Sequence, residues 1–150
     1  MLLAVDLGLA TGFARFGPEG RLERYRSTHF PSVATLKRAL PRLVAEYQPL
    51  SWIVVEGGRD LADLWQRQAE RVGATLIHAY AEDWRPSLLL ARERDHGGET
   101  AKKAADVLAR KIISWSDAPR PTSLRHDVAE AICIGLWASV RVGLTAMPRL

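Results

Sequence analysis

A chain of 150 residues, 25% charged and 47% hydrophobic, suits one globular domain spanning 1–150 and excludes a disordered chain. No apolar run approaches the roughly 20 residues that cross a bilayer, so no membrane partner is expected. The net charge of +4 leans mildly toward polyanionic partners. Met1 to Val5 read as a short buried strand closing on Asp6, and Thr11 to Phe16 as a second strand. Gly17 to Gly20 (GPEG) mark a turn, and Arg21 to Ser27 alternate as a third strand at or near an edge. From Pro31 the spacing of Val33, Leu36, Leu40, Leu43, Val44 and Tyr47 becomes helical, with a kink or break expected at Pro41.

After Pro49, Trp52 to Val55 form a continuous apolar strand that again closes on an acid, Glu56, followed by two glycines. Asp60 to Val72 return to helical spacing, with Gly73 as the stop. Thr75 to Tyr80 make a fifth strand. Residues 81–98 hold a short helix and then a charged, glycine-ended loop. Thr100 to Trp115 and His126 to Val140 are helical, and the second is apolar almost all round, so it is buried. A meander followed by α/β crossovers implies one mixed sheet with helices on its faces. The lone Cys133 cannot form an internal disulfide and reads as a core residue. With no secretory signal in view, a cytoplasmic protein is expected.

Four carboxylates carry the chemistry. Asp6 and Glu56 end strands that can be parallel neighbours, which puts both acids at one edge. The first could also be a turn aspartate bonding its own loop amides. Asp127 and Glu130 lie three apart in the first turn of the last helix, on neighbouring parts of one face. Alone, that pair reads better as a capping arrangement, with Asp127 as the cap and Glu130 at the third helical position. Together, the four acids repel. A pair about 4 Å apart costs roughly 4 kcal/mol at an effective dielectric of about 20. Such a cluster needs cations or raised pKa values. Hard divalent ions, Mg²⁺ or Mn²⁺, suit oxygen ligands, and two of them can drive phosphodiester hydrolysis.

The stretches AVDLGLATG (4–12), IVVEGG (53–58) and RHDVAEAICIGLWA (125–138) resemble the RuvC-like Holliday junction resolvase branch of the RNase H-like nuclease superfamily. The resemblance implies an α/β, RNase H-like fold: a five-stranded mixed sheet of order 3-2-1-4-5, strand 2 antiparallel, with helices on both faces. It implies a metal-dependent endonuclease using Asp6, Glu56, Asp127 and Glu130 as catalytic and metal-binding residues, with Mg²⁺ or Mn²⁺, two ions per site. Glu130 stands where the resolvases usually carry Asp. Branched DNA is the implied substrate, and a two-fold symmetric junction cut on two strands makes a homodimer sensible.

GGETAKKAADV (97–107) is similar to the glycine-then-lysine entry to the penultimate helix in RuvC resolvases, where a lysine helps hold phosphate. Lys102 and Lys103 are both candidates, or simply a solvated helix start. Arg85, Arg92 and Arg94 suit DNA phosphate contacts. Seventeen of the 21 basic residues are arginine, which favours bidentate phosphate binding but also follows from a GC-rich genome. His126 is an accessory candidate for metal or phosphate, or a plain capping residue. Trp84 reads as core. Three other readings share these residues. They are a YqgF-type nuclease of ribosomal RNA processing, an inactive nucleic-acid-binding module, and a sugar-kinase or actin-like phosphate loop, which would need a second domain.

Overall fold

The computed structural model describes residues 1–94 and 98–150. Along the chain run β1 (Leu2–Asp6), β2 (Ala10–Phe16), β3 (Leu22–His29), α1 (Val33–Glu46), β4 (Trp52–Glu56), α2 (Arg59–Val72), β5 (Thr75–Ala79), α3 (Ala81–Leu88), α4 (Ala91–Arg94), α5 (Gly98–Trp115) and α6 (His126–Arg141). The strands form one sheet of order β3-β2-β1-β4-β5. β2 is antiparallel to both β1 and β3, and β4 is parallel to both β1 and β5. This is the expected order and strand polarity, with β3 at an edge. Among the described residues, no helix is long and apolar enough to cross a membrane.

Alternation along the strands divides the core in two. Leu3, Val5, Phe13, Ile53 and Val55 face α1 and α2. Leu2, Ala4, Ala14, Phe16 and Val54 face α3, α5 and α6. The helix α1 runs through Pro41 as one element rather than breaking there. Its buried stripe of Leu36, Leu40, Leu43 and Val44 holds both halves against the sheet, which outweighs the backbone hydrogen bond that proline removes. Ser32 caps its start, accepting from the Thr35 amide at 3.2 Å. Gly73 stops α2 in the left-handed conformation, φ 71°, as expected. In the region least readable from sequence, α3 is the anticipated short helix; one further turn, α4, follows it, and residues 95–97 of the charged loop lie outside the described residues.

The buried helix α6 lies on β1 and β2 under α5, which supplies Ala104, Ala105 and Ala109 to the contact face. Small side chains let the two helices approach closely, and the fully buried Cys133 donates weakly to the Ala105 carbonyl at 3.5 Å. Against the sheet the approach is closer still. A Cβ on Gly12 would stand 2.0 Å from the Asp127 carbonyl oxygen, and one on Gly135 would stand 2.1 Å from the Phe16 ring. The glycines therefore set how near α6 sits to β2. Gly12→Ala meets helix backbone that cannot rotate aside. It is expected to destabilise the fold by about 3 kcal/mol or more, at the upper end of overpacking penalties; urea unfolding of the variant beside the wild type measures this.

Candidate active site

Asp6 and Glu56 are paired in register at the ends of the parallel strands β1 and β4. Each is two residues beyond a side chain that faces α6, Ala4 and Val54 respectively, so alternation points both carboxylates toward α6. The Leu7 amide donates to the Glu56 carbonyl at 2.8 Å, which carries the pairing past the strand ends. Gly57 then turns away at φ 137°, a backbone conformation that disfavours a side chain.

From the opposite side come the acids of α6. The helix cap is Arg125, and Asp127 is the second helical residue, so the capping arrangement of Asp127 with Glu130 does not occur. The Asp127 carboxylate instead accepts from its neighbour's amide, Val128, at 3.0 Å, and from the Ser27 hydroxyl of β3. Ser27 stands opposite Gly12 in the sheet, where the missing side chain leaves room for Asp127. Glu130, one turn further in, is 3% exposed. Its Oε1 lies 3.3 Å from Arg85 Nη2 and 3.5 Å from His126 Nε2, while its buried Oε2 has no partner among the described residues.

The helix α3 reaches two of the four acids through consecutive residues. Trp84 is fully buried, as expected of a core residue, but its indole Nε1 donates to Glu56 Oε2 at 2.8 Å. Arg85 pairs with Glu130. Thus Arg85, expected at DNA phosphate, stands beside a carboxylate here. Lys102 and Lys103 are both exposed on α5. Lys102 is the one whose charge acts on His126 and Glu130. Arg92 and Arg94 lie on α4, Arg92 exposed and Arg94 half-buried. His126 is half-exposed at the first turn of α6 and within reach of Glu130, so it joins the cluster rather than capping the helix.

The electrostatics register this crowding. Burial first, then the charges of Glu130, Glu56 and Asp127, push Asp6 up to about 8, while Arg85 pulls it down. Burial raises Glu130 to about 7 against the opposing pull of Arg85 and Lys102. Burial also raises Glu56, moderated by the Trp84 hydrogen bond. Desolvation, with Lys102 and Arg85, lowers His126. Asp6, Ala10, Arg125, His126 and Asp127 line an open cleft of about 410 Å³. A separate cavity of about 300 Å³, between α3, α5 and the C-terminal residues, includes none of the four acids. Among the described residues, no three His, Cys, Asp or Glu side chains stand in a ligating arrangement. The chemistry of the set nevertheless fits a hard dication: carboxylates only, two of them with raised pKa values, and one buried oxygen without a partner among the described residues.

No protein-family model matches the chain, and no curated protein matches it. Solved structures do. Thermus thermophilus RuvC bound to a Holliday junction substrate superposes with a TM-score of 0.63 at 16% identity, over 95% of this chain and 96% of that one. A second Thermus thermophilus RuvC structure gives 0.61 at 17% identity over the same shares. The Fowlpox virus resolvase in complex with Holliday junction DNA gives 0.65 at 15% identity, over 92% of this chain and 97% of the viral one.

This chain has the RuvC-like resolvase fold. Within that fold the raised Asp6 makes a prediction for the metal-free protein. Between the ordinary carboxylate range and about pH 8, folded chains hold a proton on Asp6 that unfolded chains have released. Stability therefore falls as pH rises through that window. Asp6→Asn removes this titration. In EDTA the variant is expected to melt higher than wild type by roughly 3 °C or more at pH 8, with a smaller gap near pH 5. Thermal melts at the two pH values check the sign.

Proposed function

We propose that this chain is a divalent-cation-dependent endonuclease that hydrolyses phosphodiester bonds of branched DNA, with Asp6, Glu56, Asp127 and Glu130 as its catalytic residues. The observation that carries the reading is one meeting point. In a fold shared with two Holliday junction resolvases, two strand ends and the first turns of α6 direct four acids to one end of the sheet. A surface meant only to bind polyanions gains nothing from clustered negative charge, which argues against a catalytically inactive module.

Asp6, Glu56, Asp127 and Glu130 would hold Mg²⁺ or Mn²⁺, two ions per site, which when bound supply water activation and stabilisation of the leaving oxygen. The protein's own contribution is placement. Ser27 orients Asp127 and Trp84 orients Glu56. Burial keeps Glu130 out of bulk water. Lys102, exposed on α5 and acting on Glu130 through its charge, would hold a substrate phosphate, and Arg92 and Arg94 on α4 would add phosphate contacts. His126 would assist at the phosphate or the metal. Two such chains in a homodimer would cut the paired strands of a symmetric junction.

A cleavage panel with Mg²⁺ or Mn²⁺ tests the substrate: four-way junction, fork, duplex, single strand and structured RNA. The junction should be cut fastest, and preferential cutting of RNA would reverse the assignment. Asp6→Asn should reduce cleavage by more than the roughly 10–100-fold typical of losing an outer-shell partner, while the fold persists by circular dichroism. Lys102→Ala should weaken junction binding and flatten its log–log salt dependence by about 0.9, the share of one phosphate contact. Lys103→Ala should leave the slope nearly unchanged. Fluorescence anisotropy over a salt series reads both.

A further inference from the structure

The four acids differ in what holds them, and the difference centres on Arg85. Its guanidinium is 3.3 Å from Glu130, longer than the about 2.7–2.9 Å of a strong charge-assisted hydrogen bond. Its charge reaches Asp6 and Glu56 as well as Glu130. It is therefore the cation shared by three of the four acids, the fourth, Asp127, lying 3.8 Å from Arg125, yet it is loosely held. Its Nε is buried without a hydrogen-bond partner among the described residues. Its side chain is 29% exposed, so it has a route to solvent. Lys102 and His126 also face Glu130, but both are exposed. Neither replaces Arg85.

We propose that Arg85 is an internal counter-ion that occupies the place of divalent metal at the carboxylates and passes to a substrate phosphate when metal binds, so that metal and DNA bind cooperatively. The proposal rests on the nuclease reading above. A guanidinium and a dication cannot share Glu130 without repulsion, so metal entry favours withdrawal of Arg85. A phosphate offers that guanidinium two acceptors in a matching plane, where Glu130 now takes one donor. As the chain stands, α3 holds Glu56 by Trp84 and Glu130 by Arg85. Linkage makes the effect reciprocal. Whatever DNA adds to metal affinity, metal adds to DNA affinity.

The test is Mn²⁺ binding, read from the electron paramagnetic resonance signal of free Mn²⁺, for wild type and Arg85→Met. Each is measured alone and with a four-way junction, in the cold, where parallel gels confirm that the junction stays whole. Without DNA the variant should bind Mn²⁺ about tenfold more tightly than wild type, within the usual range of coupling between sites. The junction should tighten Mn²⁺ binding to wild type by a similar factor and to the variant hardly at all. Binding to the variant that is no tighter than to wild type overturns the role of Arg85 and leaves the nuclease reading standing. Tighter binding without any junction effect overturns the passage to phosphate. If neither protein binds Mn²⁺ even with the junction present, the nuclease reading fails and the proposal fails with it. Should Arg85→Met not fold, the wild type still decides. The Arg85 Nε–H nuclear magnetic resonance signal, assigned by its loss in Arg85→Lys, must shift as Mg²⁺ binds, and a signal that stays in place overturns the proposal.

Discussion

The close seating of α6 on β2 is the constraint on which the rest of the structure depends. With no side chain on Gly12, the backbone of the Asp127 turn comes into contact with the strand. Asp127 and Glu130 then arrive beside the end of β1, and Ser27, across from Gly12, meets Asp127 from the next strand. A helix held even a methyl group further out would separate the two pairs of acids. The opening stretch of the sequence thus serves two purposes: its Asp6 supplies a charge, and its Gly12 supplies the space that brings the opposing charges near.

Crowded carboxylates carry a penalty that the fold offsets locally. Part of it is met by protonation, as the raised Asp6 and Glu130 indicate. Part is met by α3, which extends one indole donor and one guanidinium into the cluster from adjacent positions. Residues next to one another in a helix point about 100° apart, which is why Trp84 and Arg85 engage different acids, on β4 and α6. Packing and electrostatics are therefore coupled at this helix: Trp84 fills the core and steadies Glu56 with the same side chain.

Much of this was readable in the sequence, for identifiable reasons. Continuous apolar runs ending in acids located β1 and β4, and reading them as parallel neighbours put both acids at one edge. The all-round apolar character of residues 128–140 announced a buried helix. What escaped were contacts between residues far apart in the chain. Ser27 bonds a residue 100 positions away, and Arg85 one 45 positions away. Nothing local marks either. The start of α6 at His126 was placed correctly, but the capping reading of Asp127 with Glu130 fails, because Arg125 caps the helix with backbone alone and offers no side-chain signal. Trp84 was assigned to the core correctly, but its hydrogen bond requires knowing that Glu56 ends beneath it.

The order of the elements along the chain has a consequence for biosynthesis. Asp6 and Glu56 emerge from the ribosome early, on strands whose α6-side apolar surface still lacks its cover. Until residues 126–141 follow, a nascent chain exposes Leu2, Ala4, Ala14 and Phe16 and holds only half of its acids. Such an intermediate invites association with other unfinished chains or with chaperones. It also lacks half of the carboxylate cluster, so the crowding at the end of the sheet arises only once α6 is in place.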